Sequence, residues 1–396
     1  MRLLHTSDWH LGRSFHGVGM LDAQRNFVDQ LVSLVESKSV DVVLIAGDVY
    51  DRALPGLDVV KLLDDALVRI TQAGAGVVLT SGNHDSAIRL GFASRLLERG
   101  GVHLRTKVED IDVPVLFPLG GDENAKNSTL NGQVAVYGIP YLEPRLVAER
   151  LGAENANHFD VTLAAVERIR RDVEARRASG PVYPVVLAHT FASGGITSES
   201  ERDLSIGGLG AVPLDLFDDF AYTALGHLHG RQELAPHVRY SGSPLAYSFS
   251  EAKHHKGAWL VDLDAGGVVA VEEVLWEAPK ALATLRGTLD DLLGAEEHAW
   301  AENAYCQITL TDTQRPAQAM ERVRTRFPDT LVLSFDPQGA AARTSTSYSN
   351  RLAEAEDDLG VCCGFLDHVR DRDASDAEEA ALREALEAVR LQEAEL

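Results

Sequence analysis

Short apolar runs and helix-period stretches alternate along the N-terminal part of the chain. β-rich runs occupy residues 3–7, 40–47 and 76–82. Between them, residues 21–37 and 57–72 carry apolar side chains at the spacing of an amphipathic helix. Continuous apolar strands joined by helices are typical of a largely parallel sheet that is covered on both faces. The pattern therefore predicts an α/β fold in which helices flank a β-sheet core.

The same pattern continues towards the middle of the chain. Further strands are predicted at residues 134–138, 184–188 and 222–225, and residues 257–276 are predicted to form a β-hairpin with a glycine-rich turn. Residues 157–177 are predicted to be helical and end in a cluster of arginines. The simpler interpretation of that cluster is a solvated helix face, and a contact with DNA is the alternative.

A second pattern of short elements follows the hairpin. Residues 276–337 show the order strand, helix, strand, helix, strand, with the outer strands at 282–287 and 330–335, which predicts a small α/β domain. Thr288 and Asp291 have the form of a capping box at the start of the first of these helices. Pro316 suits the first turn of the second helix.

The remaining chain, residues 338–396, is predicted to be a linker and a helical tail. Small and polar residues over 336–350 indicate a flexible linker, and residues 376–393 form an amphipathic helix with apolar side chains on one stripe. Such a terminal helix docks on its own domain or serves a partner. We therefore expect a large N-terminal domain at residues 1–275, followed by the small domain and this tail.

Composition adds one constraint. The chain has 396 residues, of which 45% are hydrophobic and 24% charged, as in ordinary soluble proteins, and it has only three cysteines, without zinc-ligand spacing. It has neither a signal-peptide pattern nor an apolar run of membrane-spanning length, so we expect a cytoplasmic protein. The formal net charge is −23. If the chain acts on nucleic acid, bound metal ions, local arginines or a partner must supply the positive charge.

Polar side chains that can bind metal ions recur where the predicted strands end. In open α/β sheets, ligands bind just beyond the carboxyl ends of the strands. Histidines buried only for structural reasons would not recur at these positions with carboxylates between them. The candidate residues are Asp8, His10, Asp48, Asp51, Asn83, His84, Asp85, His189, His227 and His229.

This set of side chains favours phosphate chemistry. Oxygen and nitrogen ligands without thiolate suit Mn²⁺, Fe²⁺, Zn²⁺ or Mg²⁺. Seven ligands are too many for one ion with an open position, but they fit two ions about 3.5–4 Å apart that share a carboxylate. Two divalent ions and two aspartates leave the pocket positive, which attracts a phosphate ester. A bridging water would attack phosphorus, and a neutral imidazole such as His84 would stabilise the transition state or protonate the leaving group.

The ordered set D-x-H, GD, GNH, H and GHxH resembles the calcineurin-like metallophosphoesterases. More narrowly, the stretches HTSDWHLGR, GDVYDRALP, GNHDS, SESERDLSIGG and YSGSPLAYSFSE are similar to those of the bacterial SbcD nucleases, the partners of the SbcC ATPase. The resemblance covers most of the chain. It implies a calcineurin-like metallophosphoesterase fold, in which helices flank a layered β-sheet core, with a small α/β capping domain and a C-terminal helical tail.

The resemblance also implies roles for individual residues. The ligands of the first ion would be Asp8, His10, Asp48 and His229. The ligands of the second ion would be Asp48, Asn83, His189 and His227, so that Asp48 bridges the two. His84 takes the position of the catalytic histidine. Asp51 stands where some archaeal relatives have histidine, which leaves its role open, and Asp85 is expected to orient His84 rather than to bind metal.

The implied activity is that of a Mn²⁺-dependent nuclease (with Mg²⁺ as the alternative ion) in DNA repair. It would act as an exonuclease on double-stranded DNA ends and as an endonuclease on single strands and hairpins. Two copies would join two SbcC-type coiled-coil ATPase subunits near the nucleoid. The homodimer contact would lie on helices near residues 57–72 and 86–99, the small domain would touch DNA, and the tail would bind the coiled coil. The alternatives are a two-metal phosphodiesterase or phosphatase for another substrate and, last because all seven ligand positions are intact, a non-catalytic scaffold.

Overall fold

A computed structural model of the chain describes most of its length. The described residues are 1–119, 132–200, 210–338, 358–370 and 372–394. They belong to two compact units. The first unit comprises Met1–Thr311 and Arg315–Asp336, and the second comprises Asp312–Gln314 and Pro337–Leu396.

The secondary structure alternates strands and helices, as the apolar pattern predicts. The strands are β1 (Arg2–Thr6), β2 (Ser14–Phe15), β3 (Val18–Gly19), β4 (Val42–Ala46), β5 (Gly76–Thr80), β6 (Val102–Arg105), β7 (Val115–Pro118), β8 (Gln133–Ile139), β9 (Val182–His189), β10 (Tyr222–Gly226), β11 (Gln232–Ala235), β12 (Val238–Tyr240), β13 (Gly257–Asp264), β14 (Gly267–Leu275), β15 (Leu282–Gly287), β16 (Tyr305–Leu310) and β17 (Thr330–Phe335). The α-helices are α1 (Leu21–Lys38), α2 (Leu57–Gln72), α3 (Ala87–Leu90), α4 (Ser94–Leu97), α5 (Pro144–Leu151), α6 (His158–Arg177), α7 (Leu289–Gly294), α8 (Ala319–Arg324), α9 (Asp358–Arg370) and α10 (Asp376–Ala394).

Two six-stranded sheets form the centre of the first unit. The first has the order β14-β13-β1-β4-β5-β6, with a parallel middle from β1 to β6 and the antiparallel hairpin β13–β14 at one edge. The second has the order β11-β12-β10-β9-β8-β7, with a parallel middle from β12 to β8 and an antiparallel strand at each edge. The predicted hairpin and the predicted strands around β8, β9 and β10 are therefore confirmed.

The sheets pack face to face through an apolar layer. Leu44 of the first sheet belongs to the same buried cluster as Val136 and Leu187 of the second. Helices α1 and α2 cover the outer face of the first sheet, and α5 and α6 cover the outer face of the second. The four layers confirm the predicted class, a layered β-sheet core flanked by helices. The pattern alone predicts one sheet with helices on both faces. In the structure, a second sheet covers the inner face of the first in place of a layer of helices.

The small parallel sheet β15-β16-β17 has its own core with α7 and α8. The predicted capping box is present in part, since the Asp291 amide donates to Thr288 Oγ at 3.3 Å. Helix α8 begins only at Ala319, so Pro316 does not lie in its first turn. The sheet belongs to the same unit as the two large sheets. The division at residues 275 and 276 stays a prediction.

Apolar side chains join the small sheet to the rest of its unit. Phe15, Tyr247 and Phe249 form a buried cluster, against which Leu282 and Tyr305 of the small sheet pack. The cluster matters for the site described below, because Tyr247 and Phe249 belong to the segment that carries Glu251.

The second unit contains helices α9 and α10, which contact each other. The guanidinium of Arg372 and the carboxylate of Glu378 form an ion pair at 2.8 Å. The helix predicted at 376–393 is found as α10. Most of the predicted linker at 336–350 lies outside the described residues, which stop at residue 338 there. The SERDLSIGG stretch lies outside them from residue 201 onwards. In the part of the chain that the structure describes, no helix has the length and apolar character needed to cross a membrane.

The arginine cluster predicted at 168–177 ends helix α6. Arg170 pairs with Asp219 at 2.8 Å, and Arg176 pairs with Asp172 at 2.5 Å. These ion pairs neutralise part of the cluster, as expected for a solvated helix face, and a contact with DNA stays a prediction.

Candidate metal centre

The loops that follow five parallel strands meet where the carboxyl ends of the two large sheets come together. Backbone hydrogen bonds fix the first two loops to each other, since the Asp8 amide donates to Gly47 O at 3.1 Å and the His10 amide to Asp48 O at 2.9 Å. The seven expected ligands lie on these loops or at the strand ends: Asp8, His10, Asp48 and Asn83 from the first sheet, and His189, His227 and His229 from the second.

Four of these residues have left-handed backbone conformations. The φ angles are +53° at Asp8, +43° at His10, +46° at Asp48 and +110° at His227. Non-glycine residues in such conformations cost about 1–3 kcal/mol each and persist only where the surrounding structure holds them. The concentration of such residues in one place indicates a functional constraint on where these side chains point.

Two glycines allow the ligand loops to approach this closely. Gly47 has a φ of +82°, and a Cβ there would lie 2.3 Å from Nδ1 of His189. A Cβ on Gly226 would lie 1.7 Å from the carbonyl oxygen of Ala46. Both distances are far below van der Waals contact, so a side chain at either glycine would force the two sheets apart at the site.

Asp48 lies at the centre of the converging side chains. Its Oδ2 is 3.6 Å from Nε2 of His10 and 3.4 Å from Nε2 of His189. On one side, His10 Nε2 faces His229 Nε2 at 3.1 Å. The carboxylate therefore lies between imidazoles from both large sheets.

On the other side of Asp48, an amide oxygen joins two further imidazoles. Asn83 Oδ1 lies 3.0 Å from His189 Nε2 and 3.0 Å from His227 Nδ1. The two ring nitrogens are themselves 3.1 Å apart. Six of the seven expected ligands thus fall into one continuous group, and the seventh, Asp8, lies beside it.

Hydrogen bonds orient these side chains from behind. His189 Nδ1 donates to Ala46 O at 2.9 Å, which turns Nε2 towards Asp48. The Asp8 carboxylate accepts the His227 amide at 3.0 and 3.1 Å and the Ser7 hydroxyl at 2.5 Å. Hydrogen bonds of this kind, to the far nitrogen of a histidine and to the carboxylate of an aspartate, are typical of metal ligands.

The group fits divalent metal ions. Ring nitrogens face one another beside buried carboxylates, His10 opposite His229 and His189 opposite His227, so the donor set is nitrogen and oxygen. Three sets of side chains could each hold an ion, because their ligand atoms lie within 4.8 Å of one another: Asp8, His10 and His229; His10, Asp48 and His84; and Asp8, Asp48 and His189. The shared aspartates place the sets side by side, which suits two adjacent ions. The third set joins Asp8 to His189, whereas the resemblance implies that these two residues bind different ions.

Burial and charge separate the protonation states of the histidines. Burial lowers the pKa of His10 to about 4 and also lowers the pKa of His227 and His229. Burial opposes the charge on His189 too, but the carboxylates of Asp48 and Asp8 outweigh it and raise the pKa of His189 to about 9. At neutral pH, three imidazoles are therefore neutral, and the fourth carries a proton that a metal ion would displace.

The two central carboxylates differ in the same way. Burial raises the pKa of Asp8, and the charge of Asp48 adds to this effect. Burial also opposes the ionisation of Asp48, but the neighbouring His189 holds the pKa of Asp48 well below its usual range. Asp48 is therefore the permanent anion of the site.

His84 lies beside this group rather than within its centre. Its amide donates to Asp48 Oδ1 at 2.9 Å, and its Nδ1 donates to the backbone oxygen of Asp51 at 2.9 Å. The ring packs edge to face against His10, with 4.7 Å between centroids. With Nδ1 engaged in this way, Nε2 is the ring nitrogen that can exchange a proton.

Asp51 and Asp85 have different surroundings. The Asp51 carboxylate lies 3.6 Å from His10 Nδ1 and 3.7 Å from the Arg13 guanidinium, so it stands behind a candidate ligand. Asp85 accepts the amides of Val49, Tyr50 and Gly82 at 3.0, 2.8 and 2.9 Å. Asp85 braces the loops after β4 and β5, whereas the resemblance predicts that it orients the His84 ring.

Several residues at the site were not predicted from the sequence. Tyr141 stacks on His227, with 6.3 Å between ring centroids. His229 Nδ1 lies beside Glu251 and Ser200, and the His229 carbonyl oxygen accepts a hydrogen bond from Lys256. Glu251 lies within the YSGSPLAYSFSE stretch, where an acidic residue in a run of aromatic and small residues signals a buried charge that needs a partner.

Two family models match the chain. The calcineurin-like phosphoesterase model matches residues 1–230. The model named SbcD_C, described as the type 5 capsule protein repressor C-terminal domain, matches residues 278–362.

The solved structures that match the chain have low sequence identity to it. A dimetal phosphatase from Danio rerio is 12% identical, with a TM-score of 0.40, and the match covers 70% of this chain and 99% of that one. The protein TT1561 of Thermus thermophilus is 13% identical, with a TM-score of 0.38 and coverages of 69% and 98%. GAP50 of the Plasmodium inner membrane complex is 9% identical, with a TM-score of 0.38 and coverages of 85% and 98%. Scores below 0.5 add nothing to the assignment.

The assignment rests on the family models and on the site. The first model spans 230 of the 396 residues, and all seven converging side chains lie within it. Members of this family use divalent metal ions, in agreement with the donor atoms found here. The chain belongs to the calcineurin-like phosphoesterase family, and its C-terminal match makes it an SbcD-type member.

Proposed function

We propose that this chain is a Mn²⁺-dependent DNA nuclease subunit of an SbcCD-type repair complex, and that it hydrolyses phosphodiesters with two metal ions. The observation that carries the proposal is the convergence of seven side chains with nitrogen or oxygen donors, Asp48 at their centre, in a chain that also matches the SbcD_C model. We infer one ion at Asp8, His10, Asp48 and His229 and a second at Asp48, Asn83, His189 and His227. The placement of Asp48 Oδ2 between His10 and His189 supports a bridging role.

The chain's own residues would do the following work. The seven side chains would hold two divalent ions, which when bound would supply positive charge for the phosphate and lower the pKa of the water needed as nucleophile. His84, whose Nδ1–H donates to the backbone oxygen of Asp51, would present Nε2 to the substrate, and in the imidazolium form the proton on Nε2 would pass to the leaving oxygen. Asp85 would keep the His84 loop and the Asp48 loop in register through its three amide contacts.

A cleft beside the site supports a role for the small domain in substrate binding. The cleft has a volume of about 270 Å³, and Arg13 and Tyr247 line it together with Gln307 of the small sheet. Ser200, which contacts His229, also lines the cleft, so the cleft adjoins the candidate metal centre. In a chain with a net charge of −23, the bound metal ions and the Arg13 guanidinium would supply the local positive charge that a phosphate backbone needs.

Partners follow from two further surfaces. Large apolar side chains are exposed on and near α2, α3 and α4, among them Leu57, Ile88 and Phe92. We infer that they form the homodimer contact, because apolar patches of this kind mark interaction sites. Helices α9 and α10 would bind the coiled coil of an SbcC-type ATPase, and the complex would work in the cytoplasm at the nucleoid.

One experiment tests the proposed function. The full chain is co-expressed with a large coiled-coil ATPase, and the purified sample is assayed with Mn²⁺ on duplex ends, on a DNA hairpin and on a chromogenic phosphodiester. We expect co-purification and Mn²⁺-dependent cleavage of both DNA substrates. Cleavage of the chromogenic ester without cleavage of DNA would instead favour the alternative, a two-metal phosphodiesterase with another substrate.

A further inference from the structure

A buried ion pair lies behind His229, at the ring nitrogen that does not face His10. Glu251 is only 1% exposed, and its Oε1 lies 3.3 Å from Nδ1 of His229. Ser200 Oγ lies 2.9 Å from the same nitrogen and 2.6 Å from Glu251 Oε1. Two oxygens therefore surround Nδ1 of a candidate ligand.

Lys256 completes the ion pair and reaches the backbone of the same histidine. Its Nζ donates to Glu251 Oε2 at 2.5 Å, to the His229 carbonyl oxygen at 2.8 Å and to Ser243 Oγ at 2.9 Å. The Glu251–Lys256 pair thus holds His229 through both its side chain and its main chain.

These contacts determine which nitrogen of His229 carries a proton. The Ser200 hydroxyl donates to the Glu251 carboxylate, so both oxygens near Nδ1 present lone pairs to it. Nδ1 must then carry the hydrogen, and Nε2 keeps its lone pair facing His10. That tautomer is the one a metal ligand needs, and a carboxylate behind the ring also makes the ligand more basic.

Stability alone does not account for a buried pair of charges at this place. Removing two charges from water is expensive, and apolar residues of similar volume often replace such a pair without loss of stability. Here both members direct hydrogen bonds to a single histidine. By contrast, the Nδ1 of His189 is held by a backbone carbonyl.

We propose that Glu251 is a positioning residue for the metal ligand His229, with Ser200 and Lys256 as its supports. This inference rests on the proposed two-ion site and goes beyond it by assigning a role to three residues outside the ligand set. It predicts an asymmetric effect. Loss of the Glu251 carboxylate should lower the affinity for the ion that His229 binds. The affinity for the ion that His189 and His227 bind should not change.

The test is a Mn²⁺ titration of the full chain by calorimetry, with electron paramagnetic resonance to distinguish paired from single ions. In Glu251→Gln, we expect the affinity for one ion to fall by about 10–100-fold, the usual cost of losing such a partner. The affinity for the other ion should stay within about threefold of the parent value, well below that cost. Ser200→Ala should lower the affinity for the same ion by a smaller factor. This variant provides the test if Glu251→Gln does not fold.

Asp329→Asn is the matched control, since it removes the partner of Lys280 in an ion pair on the small domain. It should leave both affinities unchanged. If both Mn²⁺ affinities were unchanged in Glu251→Gln and in Ser200→Ala, the role given to Glu251 would be wrong, but the proposed function would stand. An equal loss at both ions, accompanied by a lower melting temperature, would also overturn the role given to Glu251, because that is the result of general destabilisation. A parent chain that binds fewer than two ions would overturn the proposed function and this inference with it.

Discussion

His10 and His229 are 219 positions apart in the chain, and their Nε2 atoms face each other at 3.1 Å. Two neutral imidazoles cannot both present lone pairs at this distance without repulsion, so a proton or a cation must lie between them. Asp8 belongs to the same set of ligand atoms. With the Asp8 carboxylate beside the two nitrogens, a divalent cation can take the place of that proton.

Replacing the shared carboxylate should disturb both ions. Asp48 Oδ2 lies near imidazoles on both sides of the site, so Asp48→Asn should weaken both Mn²⁺ affinities by more than the roughly 10–100-fold cost of losing an outer hydrogen bond. Calorimetric titration measures both affinities. Asp51→Asn is the control, since Asp51 approaches only His10 among the proposed ligands. Two tightly bound ions in Asp48→Asn would contradict the bridging role.

Replacing the proposed catalytic histidine should separate chemistry from metal binding. His84→Gln removes a proton-transferring group, so kcat for DNA cleavage with Mn²⁺ should fall about 10²–10⁴-fold. The two Mn²⁺ affinities should remain close to those of the parent. Since His84 also has a ring nitrogen within 4.8 Å of ligand atoms of His10 and Asp48, loss of an ion in this variant would make it a ligand instead.

Metal binding should release a proton and weaken as the pH falls. The pKa of His189 is raised to about 9, so the histidine is protonated at neutral pH and must lose that proton to bind an ion. The affinity for that ion should therefore fall by up to about tenfold per pH unit as the pH drops from about 9 to 6. The pKa of His10 is lowered to about 4, so His10 adds nothing in this range, whereas burial raises the pKa of Asp8 to about 8, so Asp8 also gives up a proton when it binds an ion.

Proton release is measured by titrating Mn²⁺ in two buffers that have different enthalpies of ionisation. The observed binding heats should differ in proportion to those enthalpies at about pH 7, because the released proton is taken up by the buffer. Identical heats in both buffers would show that His189 is already neutral before the ion binds.

A side chain at Gly226 should destabilise the protein. A Cβ there would lie 1.7 Å from Ala46 O, between the two large sheets, so Gly226→Ala should cost about 1–3 kcal/mol or more of unfolding free energy. Urea denaturation measures the change. Gly294→Ala is the control, because nothing lies within 4 Å of a Cβ at that position. Equal midpoints for the two variants would show that the sheets can move apart at no cost.

A charge in the exposed apolar patch should disrupt the proposed homodimer. Phe92 is 79% exposed, and Phe92→Glu would place a carboxylate in the contact, so the chain should become monomeric. Light scattering coupled to size-exclusion chromatography measures the mass. Leu146→Glu is the control, since Leu146 is 71% exposed on α5, outside the patch. A dimer that persists in Phe92→Glu would place the contact elsewhere.

Much of the fold could be predicted because its signals are local. Helix α2 and strands β15 and β17 have the predicted bounds, since the apolar period and the flanking polar residues define both ends. The candidate ligands could be found because each follows an apolar strand, and the carboxyl ends of parallel strands lie at one edge of a sheet.

Other features depend on contacts between distant parts of the chain. An apolar strand such as β4 has the same pattern whether helices or a second sheet cover it, so the paired sheets could not be derived from periodicity. Glu251 and Lys256 meet His229 only after folding, and no spacing in the sequence connects them. Local signals also place α8 too early, because Pro316 is compatible with a helix start but does not require one.

The candidate ligands come from both halves of the sandwich, with Asp48 on the first sheet and His189 on the second. A cation held by both would be a reversible cross-link between two layers that are otherwise joined by side-chain packing and by hydrogen bonds such as that from His189 to Ala46. Removal of the ions by a chelator would then weaken the contact between the two large sheets. A protease that attacks transiently opened chains should therefore cut the metal-depleted protein faster. The supply of ions would in this way govern how long the folded protein survives as well as how fast it works.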